Sequence, residues 1–182
     1  DDWAVINADD PQTLALARAG RARKVFFSVE TPLVPLSSIR LIGRHLAADV
    51  MAAAAVARIA GVPHDAMVRA VESFTGLEHA LEPVAVVSGV RFVNDSKATN
   101  VEAATQAIEA FDRGLVVIMG GRFKGGDFGL LRGPLRARGA AVVAIGEATP
   151  LIRDALADVV PVHAVETLSA AVRRAFDLAP KG

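Results

Sequence analysis

Two continuous apolar segments in the second half of the chain limit the folds that it can adopt. Leu115–Met119 reads LVVIM and Ala141–Ile145 reads AVVAI. Strands without polar alternation are typical of a sheet buried on both faces, as in a parallel sheet covered by helices. Each segment is followed by a helix-like stretch. The sequence therefore predicts an α/β fold with a Rossmann-like, mostly parallel sheet and helices on both faces.

The remaining elements follow from periodicity, turn residues and caps. In the second half we expect strands at Ala85–Val87, Arg91–Val93 and Val160–His163, and helices at Val101–Phe111, Gly129–Ala137, Thr149–Ala157 and Thr167–Leu178. In the first half we expect strands at Ala4–Asn7, Lys24–Ser28 and Ile39–Ile42, and helices at Gln12–Ala19, Leu46–Ala60 and His64–Phe74. Thr75–Pro83 is the predicted hinge, which divides the chain into residues 1–75 and 76–182.

Composition excludes several classes of function. The 20 basic residues balance the 20 acidic ones in a chain of 182 residues, so no net field favours nucleic acid. There are no cysteines, which excludes disulfides and thiolate zinc sites and fits a reducing cytoplasm. The 4 histidines are scattered and predict no metal cluster. The most apolar segment, Leu46–Ala60, is shorter than the roughly 20 residues that a bilayer needs, so we expect no membrane association.

A polar turn between a predicted strand and a predicted helix carries the first candidate site. Val90–Ala104 reads VRFVNDSKATNVEAA, and Thr99 or Asn100 can cap the helix. The helix start presents free N–H groups and Lys97 adds a positive charge, which favours an anion. The Asp95 carboxylate would repel phosphate but suits ribose hydroxyls or an ammonium group. The turn therefore predicts a ligand with both anionic and hydroxyl or amino groups.

A glycine-rich turn follows the predicted strand Leu115–Met119. It reads GGRFKGGDF from Gly120 to Phe128, with Lys124 available for a carboxylate or phosphate and Asp127 for capping a short helix. The Walker A pattern is not satisfied. Alone, such a loop is more often a flexible connection. Because we expect it on the same sheet edge as NDSKATN, the two turns together predict a ligand site.

Other candidates keep two interpretations each. His45 is either a helix cap or core imidazole, or else a ligand contact. His79 in the predicted hinge makes either a structural hydrogen bond or a catalytic contact. Asn7, Asp9 and Asp10 follow a strand, where turn formation competes with a role at the nucleotide-binding edge.

NDSKATN and GGRFKGGDF, with VINADD upstream and LIGRH opening an alanine-rich helix, resemble the Mur ligase family. Among its members, the chain looks like those that add D-glutamate to UDP-N-acetylmuramoyl-L-alanine in peptidoglycan synthesis. The resemblance spans essentially the whole chain. It implies that residues 1–75 end a central ATP-binding domain and that residues 76–182 form most of a C-terminal Rossmann-like domain. It also implies ATP, Mg²⁺ and an acyl-phosphate intermediate, in a cytoplasmic enzyme that we expect to be a monomer.

The resemblance also implies roles for individual residues. Asp95 would bind the ATP ribose, and Lys97 would lie near the nucleotide or its phosphates. Thr99 and Lys124 would hold a carboxylate of D-glutamate. His45 and Asp49 would lie on the ATP side. No catalytic residue is expected within this chain, because the P-loop and a carbamylated lysine would lie upstream, so the chain alone should be inactive.

Several departures from the family pattern keep alternatives open, among them a segment between Val29 and Arg40 that is shorter than expected. Leu46 stands where the family usually has an asparagine that contacts adenine, and Asp49 where it has a second asparagine. Ala80 replaces an arginine that binds ATP phosphates, a role that Arg44 could take over. The alternatives are another Mur ligase, a folylpolyglutamate synthase, or a non-catalytic nucleotide- or ligand-binding module.

Overall fold

The computed structural model describes residues 2–123 and 125–181. The chain divides into two compact units, Asp1–Gly76 and Leu77–Gly182. Each unit has its own buried core, and each is described by itself below. Among the described residues, no helix combines the length and apolar character that crossing a bilayer demands.

The first unit begins with a parallel βαβ element. Strand β1 (Trp3–Asn7) leads into helix α1 (Pro11–Ala17), and strand β2 (Arg23–Phe27) returns beside β1. The helix starts where the Asp10 carboxylate accepts a hydrogen bond from the Gln12 N–H at 2.9 Å, and Pro11 occupies its first position. These elements confirm the predicted strand, turn, helix and strand.

Two further helices complete the first unit. Helix α2 (Arg44–Ile59) and helix α3 (His64–Ser73) follow a short 3₁₀ turn at Leu36–Ser38. The alanine-rich face of α2 packs against the unit's core. The buried residues of that core are Val29, Val34, Val50, Met51, Ala54 and Met67. Gly61 ends α2 with a φ of +77°, a conformation that glycine adopts without strain.

The predicted strand at Ile39–Ile42 is wrong. The segment has no regular secondary structure, and the chain enters it from the 3₁₀ turn through a hydrogen bond from the Ile39 N–H to the Leu36 carbonyl at 3.1 Å. Ile39 and Leu41 pack against the unit's core instead of facing a neighbouring strand. Their apolar character therefore reflects burial of a loop and not strand pairing.

The second unit combines a hairpin with a parallel sheet. Along the chain its elements are β3 (Glu82–Val87), β4 (Val90–Asn94), α4 (Val101–Glu109), β5 (Val116–Gly120), a 3₁₀ turn (Phe128–Leu131), α5 (Arg132–Ala137), β6 (Ala141–Ile145), α6 (Thr149–Leu156), β7 (Val162–Val165) and α7 (Leu168–Leu178). Strands β5, β6 and β7 are parallel and adjacent in that order. The predicted strands and helices are present, with bounds shifted by up to two residues for most of them.

The two faces of the parallel sheet have separate cores. On β6, Val142 and Ala144 face a cluster that includes residues of α4, α5 and α6. Val143, between them, faces Ala171 and Ala175 of α7. Because neighbouring residues of a strand point to opposite faces, a continuous apolar strand fills both cores. This arrangement confirms the predicted sheet with helices on both faces.

Strand β4 belongs to a separate two-stranded sheet. It pairs antiparallel with β3, across a turn in which Ser88 and Gly89 have φ values of +49° and +80°. Phe92 of β4 stacks on Phe176 of α7, with ring centroids 6.1 Å apart. The expectation that NDSKATN and the glycine-rich turn follow strands of one sheet edge is therefore wrong, because β4 pairs with β3 in the described structure and not with β5–β7.

Candidate functional site

The turn after β4, Asn94–Lys97, is fixed to the segment that precedes β3. The Leu81 N–H donates to Oδ1 of Asp95 at 3.0 Å, and the Lys97 N–H donates to the His79 carbonyl at 3.0 Å. The Asn94 side chain turns the chain, since its Oδ1 accepts the Ser96 N–H at 3.1 Å. Asp95 is partly buried and Lys97 is exposed. The turn therefore holds a carboxylate and a cation at defined positions.

Helix α4 begins directly after this turn. Asn100 is its N-cap, with Oδ1 accepting the Ala103 N–H at 2.7 Å. Thr99, the other predicted cap, is exposed, and its hydroxyl makes no hydrogen bond within the described residues. The Lys97 ammonium likewise has no ion-pair partner in the described part of the chain. Both side chains are therefore available to a ligand.

The glycine-rich turn starts in close contact with the loop after β6. A Cβ on Gly120 would lie 1.9 Å from the Ile145 carbonyl oxygen, so only glycine fits there. The Gly121 N–H donates to that carbonyl at 2.9 Å, and the Gly121 carbonyl accepts the Ala148 N–H at 3.1 Å. The beginning of the turn is therefore fixed against the loop after β6 and is not a loose connection.

The end of the same turn packs against α4. Phe123 and Phe128 have ring centroids 5.2 Å apart, and Asp127 accepts the Gly129 N–H at 2.7 Å, which confirms the predicted cap. A Cβ on Gly126 would lie only 3.0 Å from Cγ2 of Val101, the first residue of α4. Lys124 lies outside the described residues. The two predicted turns thus meet through Gly126 and Val101, although they follow strands of different sheets.

Sequence reasoning missed a hydrogen-bonded cluster beside Asp95. The His79 N–H donates to Oε2 of Glu82 at 2.9 Å, and Nδ2 of Asn94 lies 2.9 Å from Nδ1 of His79. Glu82 and Asn94 face each other in the β3–β4 register. The two-residue turn at Ser88–Gly89 is the sequence signal that could have revealed this pairing. His79 therefore makes the structural hydrogen bonds that were one of its two interpretations.

The first unit has its own polar edge after β1 and β2. Asp9 accepts hydrogen bonds from the Ser28 hydroxyl and from the Val29 N–H at 2.9 Å, and it faces Arg44 at 3.4 Å. The Ser28 hydroxyl first, then the Val29 N–H and the Arg44 charge, lower the pKa of Asp9. Arg44 also pairs with Glu30 at 2.8 Å. Asp9 thus ties the ends of β1 and β2 together, which favours its structural interpretation.

His45 and Asp49 lie in the first unit, one turn apart on α2. The helix starts at Arg44 with Gly43 as its N-cap, so His45 is inside the first turn and does not cap the helix. His45 is partly buried and Asp49 is exposed. These two residues therefore belong to a different unit from Asp95, Lys97 and Thr99.

The described residues form no cluster of metal-binding side chains. In residues 2–123 and 125–181, no group of three or more His, Cys, Asp or Glu side chains is arranged to hold a metal ion.

The second unit is an α/β domain in which two polar turns meet through Gly126 and Val101. Residues 79–182 match a family model described as "Mur ligase, glutamate ligase domain". The chain belongs to this family, as the sequence motifs predicted.

The relatives agree with this assignment. UDP-N-acetylmuramoylalanine--D-glutamate ligase of Solibacter usitatus is 41% identical over 199 residues, covering 100% of this chain and 45% of the relative. The protein of the same name from Pseudomonas syringae pv. tomato is 40% identical over 181 residues, covering 97% of this chain and 40% of the relative. The chain thus spans less than half the length of these relatives.

Solved structures show the same fold. Mycobacterium tuberculosis folylpolyglutamate synthase complexed with ADP has a TM-score of 0.71 at 20% identity, covering 97% of this chain and 47% of that structure. MurF from Acinetobacter baumannii has a TM-score of 0.65 at 20% identity, covering 97% of this chain and 45% of that structure. At this level of identity the likeness concerns the fold alone.

Proposed function

We propose that the protein containing this chain is an ATP-dependent ligase that adds D-glutamate to UDP-N-acetylmuramoyl-L-alanine in peptidoglycan synthesis. The family match, with relatives of that name at 34% to 41% identity, carries the proposal. The contact between the two turns, through Gly126 and Val101, supports it. Under this proposal the reaction takes place in the cytoplasm, where ATP is abundant, and the protein acts as a monomer.

The proposed reaction forms an amide bond in two steps. A carboxylate oxygen of the acceptor attacks the γ-phosphorus of ATP, and ADP leaves, which gives an acyl phosphate. The D-glutamate amine then attacks the acyl carbon, and the tetrahedral intermediate expels phosphate as the amine loses its proton. The protein's task is to orient the reactants and to stabilise the charge that develops.

We assign Asp95 and Lys97 to the nucleotide and Thr99 with Lys124 to D-glutamate. Asp95 offers a carboxylate held by the Leu81 N–H, which suits ribose hydroxyls. Lys97 offers an exposed cation for phosphate. The Thr99 hydroxyl is not consumed by helix capping, because Asn100 caps α4. We also assign His45 and Asp49 to the ATP side, on the strength of the resemblance alone.

Magnesium enters this proposal only with the nucleotide. The described residues present no cluster of metal ligands, so we assign none of them to Mg²⁺. The proposed contribution of this chain is therefore to position the nucleotide and the amino acid.

The amino-acid specificity is tested by acceptor-dependent release of phosphate from ATP by the full-length protein. Each assay contains UDP-N-acetylmuramoyl-L-alanine as the acceptor and one amino acid. The amino acids compared are D-glutamate, L-alanine, meso-diaminopimelate and L-glutamate. Release that depends on D-glutamate alone is expected. Release with another amino acid, and none with D-glutamate, would favour another Mur ligase, and activity with a folate acceptor and L-glutamate would favour a folylpolyglutamate synthase.

The division of roles is tested by two variants of the full-length protein. Asp95→Ala should chiefly raise KM for ATP, because it removes the acceptor for ribose hydroxyls. Lys124→Ala should chiefly raise KM for D-glutamate, because it removes a cation for the carboxylate. Each loss should be about tenfold or more, as for a hydrogen bond to a charged group. Equal effects of each variant on both substrates would contradict this division.

A non-catalytic ligand-binding module is the alternative from another class. Leu46 and Ala80 favour it, since both stand where polar nucleotide contacts are expected from the family pattern. Binding of ATP by the full-length protein, followed by D-glutamate-dependent turnover, would eliminate this alternative.

A further inference from the structure

The segment His79–Glu82 is held in an unusual backbone conformation. His79 and Leu81 have φ values of +67° and +46°, which are uncommon for residues other than glycine. Such conformations persist where surrounding contacts impose them, and they concentrate at ligand sites. Leu81 is buried with 4% of its surface exposed, which anchors the segment. The contacts that impose this conformation therefore also set the positions of Asp95 and Lys97, which are hydrogen-bonded to the segment.

Those contacts lead directly to the turn that carries Asp95 and Lys97. Oε2 of Glu82 accepts the His79 N–H at 2.9 Å and faces Nδ2 of Asn94 at 3.4 Å. The His79 carbonyl then accepts the Lys97 N–H at 3.0 Å, and the Leu81 N–H donates to Asp95 at 3.0 Å. Glu82 is thus connected to both candidate nucleotide contacts through one short backbone segment.

Asn94 also fixes which nitrogen of His79 carries the proton. Oδ1 of Asn94 accepts the Ser96 N–H, so its Nδ2, a donor, must be the atom that lies 2.9 Å from Nδ1 of His79. Nδ1 of His79 also lies 3.4 Å from Oε2 of Glu82, but that oxygen already accepts the His79 N–H and faces Nδ2 of Asn94. The shorter contact with Asn94 therefore makes Nδ1 the acceptor, and the neutral ring carries its hydrogen on Nε2. The His79 side chain is 60% exposed, so this N–H is open to solvent or a ligand.

We propose that Glu82 and Asn94 are positioning residues for the nucleotide: they hold the His79–Leu81 segment, and through it Asp95 and Lys97, and they keep His79 in its Nε2–H form. This inference rests on the proposed assignment of Asp95 and Lys97 to ATP. It adds that the affinity for ATP depends on residues that do not touch it.

The test measures the dissociation constant of ATP with the full-length protein, without D-glutamate or its acceptor. Glu82→Ala and Asn94→Ala are the test variants, and Glu78→Ala is the matched control, since Glu78 is exposed and makes no hydrogen bond within the described residues. Glu82→Gln is the conservative variant. Both hydrogen bonds that Glu82 accepts end on one oxygen, Oε2, which the amide oxygen of glutamine can replace.

We expect Glu82→Ala and Asn94→Ala to raise the dissociation constant of ATP about tenfold, the effect of a lost hydrogen bond. Glu82→Gln and Glu78→Ala should stay within about twofold of the wild type. In steady-state assays KM for ATP should rise and KM for D-glutamate should not. ATP binding within twofold of the wild type for both alanine variants, or an equal loss in Glu82→Gln, would overturn the proposal.

A spectroscopic measurement on the wild-type protein tests the histidine tautomer. In the wild-type full-length protein labelled with ¹⁵N-histidine, and assigned through His79→Gln, His79 should show an unprotonated Nδ1 and a protonated Nε2 at pH above 8. In Asn94→Asp the carboxylate should draw the proton to Nδ1. A wild-type His79 protonated on Nδ1 would refute the inference. A protein that passes both tests but does not use D-glutamate would refute the proposed function alone.

Discussion

The contact between Gly126 and Val101 can be tested with a pair of adjacent glycines. Gly125 and Gly126 have φ values of +101° and +107°, so an alanine at either position carries about the same backbone strain, about 1–2 kcal/mol. Apart from its chain neighbours, a Cβ at position 125 has no atom of the described residues within 4 Å, whereas one at position 126 lies 3.0 Å from Cγ2 of Val101. Gly125→Ala is therefore the matched control for Gly126→Ala.

Gly126→Ala should lower the free energy of unfolding further, because the added methyl group crowds a side chain that has little room to move. Val101 is buried, with 4% of its surface exposed, and as a β-branched residue in the first turn of α4 it has little rotamer freedom. Overpacking of this kind costs about 1–3 kcal/mol. Gly126→Ala should therefore destabilise the chain by about 1–3 kcal/mol more than Gly125→Ala.

The assay is urea unfolding of the 182-residue chain, followed by circular dichroism. The Gly126→Ala/Val101→Ala double variant adds a second check, because the shorter side chain removes the crowding methyl group. Its loss of stability should be smaller than the sum of the two single losses. Equal stabilities of Gly125→Ala and Gly126→Ala, or strict additivity in the double variant, would refute the inferred packing of the glycine-rich turn on α4.

Two further predictions concern local interactions in the second unit. Asn100→Ala should lower the free energy of unfolding by about 1 kcal/mol, because the helix loses the cap on the Ala103 N–H. Thr99→Ala should leave the free energy of unfolding unchanged in the same urea experiment. Equal losses in the two variants would contradict the assignment of Asn100 as the cap. Arg132 donates two hydrogen bonds to Asp158 and lowers its pKa, so the unfolded state binds the proton more tightly and the pair stabilises the fold above about pH 4. The stability gap between wild type and Asp158→Asn should therefore be present at pH 7 and narrow as the pH falls below about 4; a gap independent of pH would contradict this linkage.

Features set by nearby residues could be predicted from the sequence. The starts of α1 and α4 follow from Asp10 and Asn100, whose side chains reach N–H groups two or three residues ahead. Strands β5 and β6 follow from their continuous apolar composition; the middle of β6 is buried and most of β5 is partly buried. Both signals depend on short stretches of chain, and the structure confirms both.

Features set by distant contacts could not be predicted in the same way. Ile39 and Leu41 are residue types that favour a strand, but they lie in a loop and their side chains pack against the core. His79 and Leu81 have positive φ values that neither residue type favours, because Glu82 and Asp95 hold their N–H groups. The candidate site therefore combines predictable turns with a connection between them that only the folded chain reveals.

This connection bears on the departure from the family pattern at Ala80. The contacts that hold the segment come from the backbones of His79 and Leu81 and from the Glu82 carboxylate, whereas Ala80 contributes only its N–H to the Leu77 carbonyl at 3.3 Å. An arginine at position 80 is therefore not needed to shape the turn that carries Asp95. The contacts that shape the turn are therefore present in this chain without an arginine at position 80. Under the proposed function, the positive charge for the ATP phosphates would come from another residue.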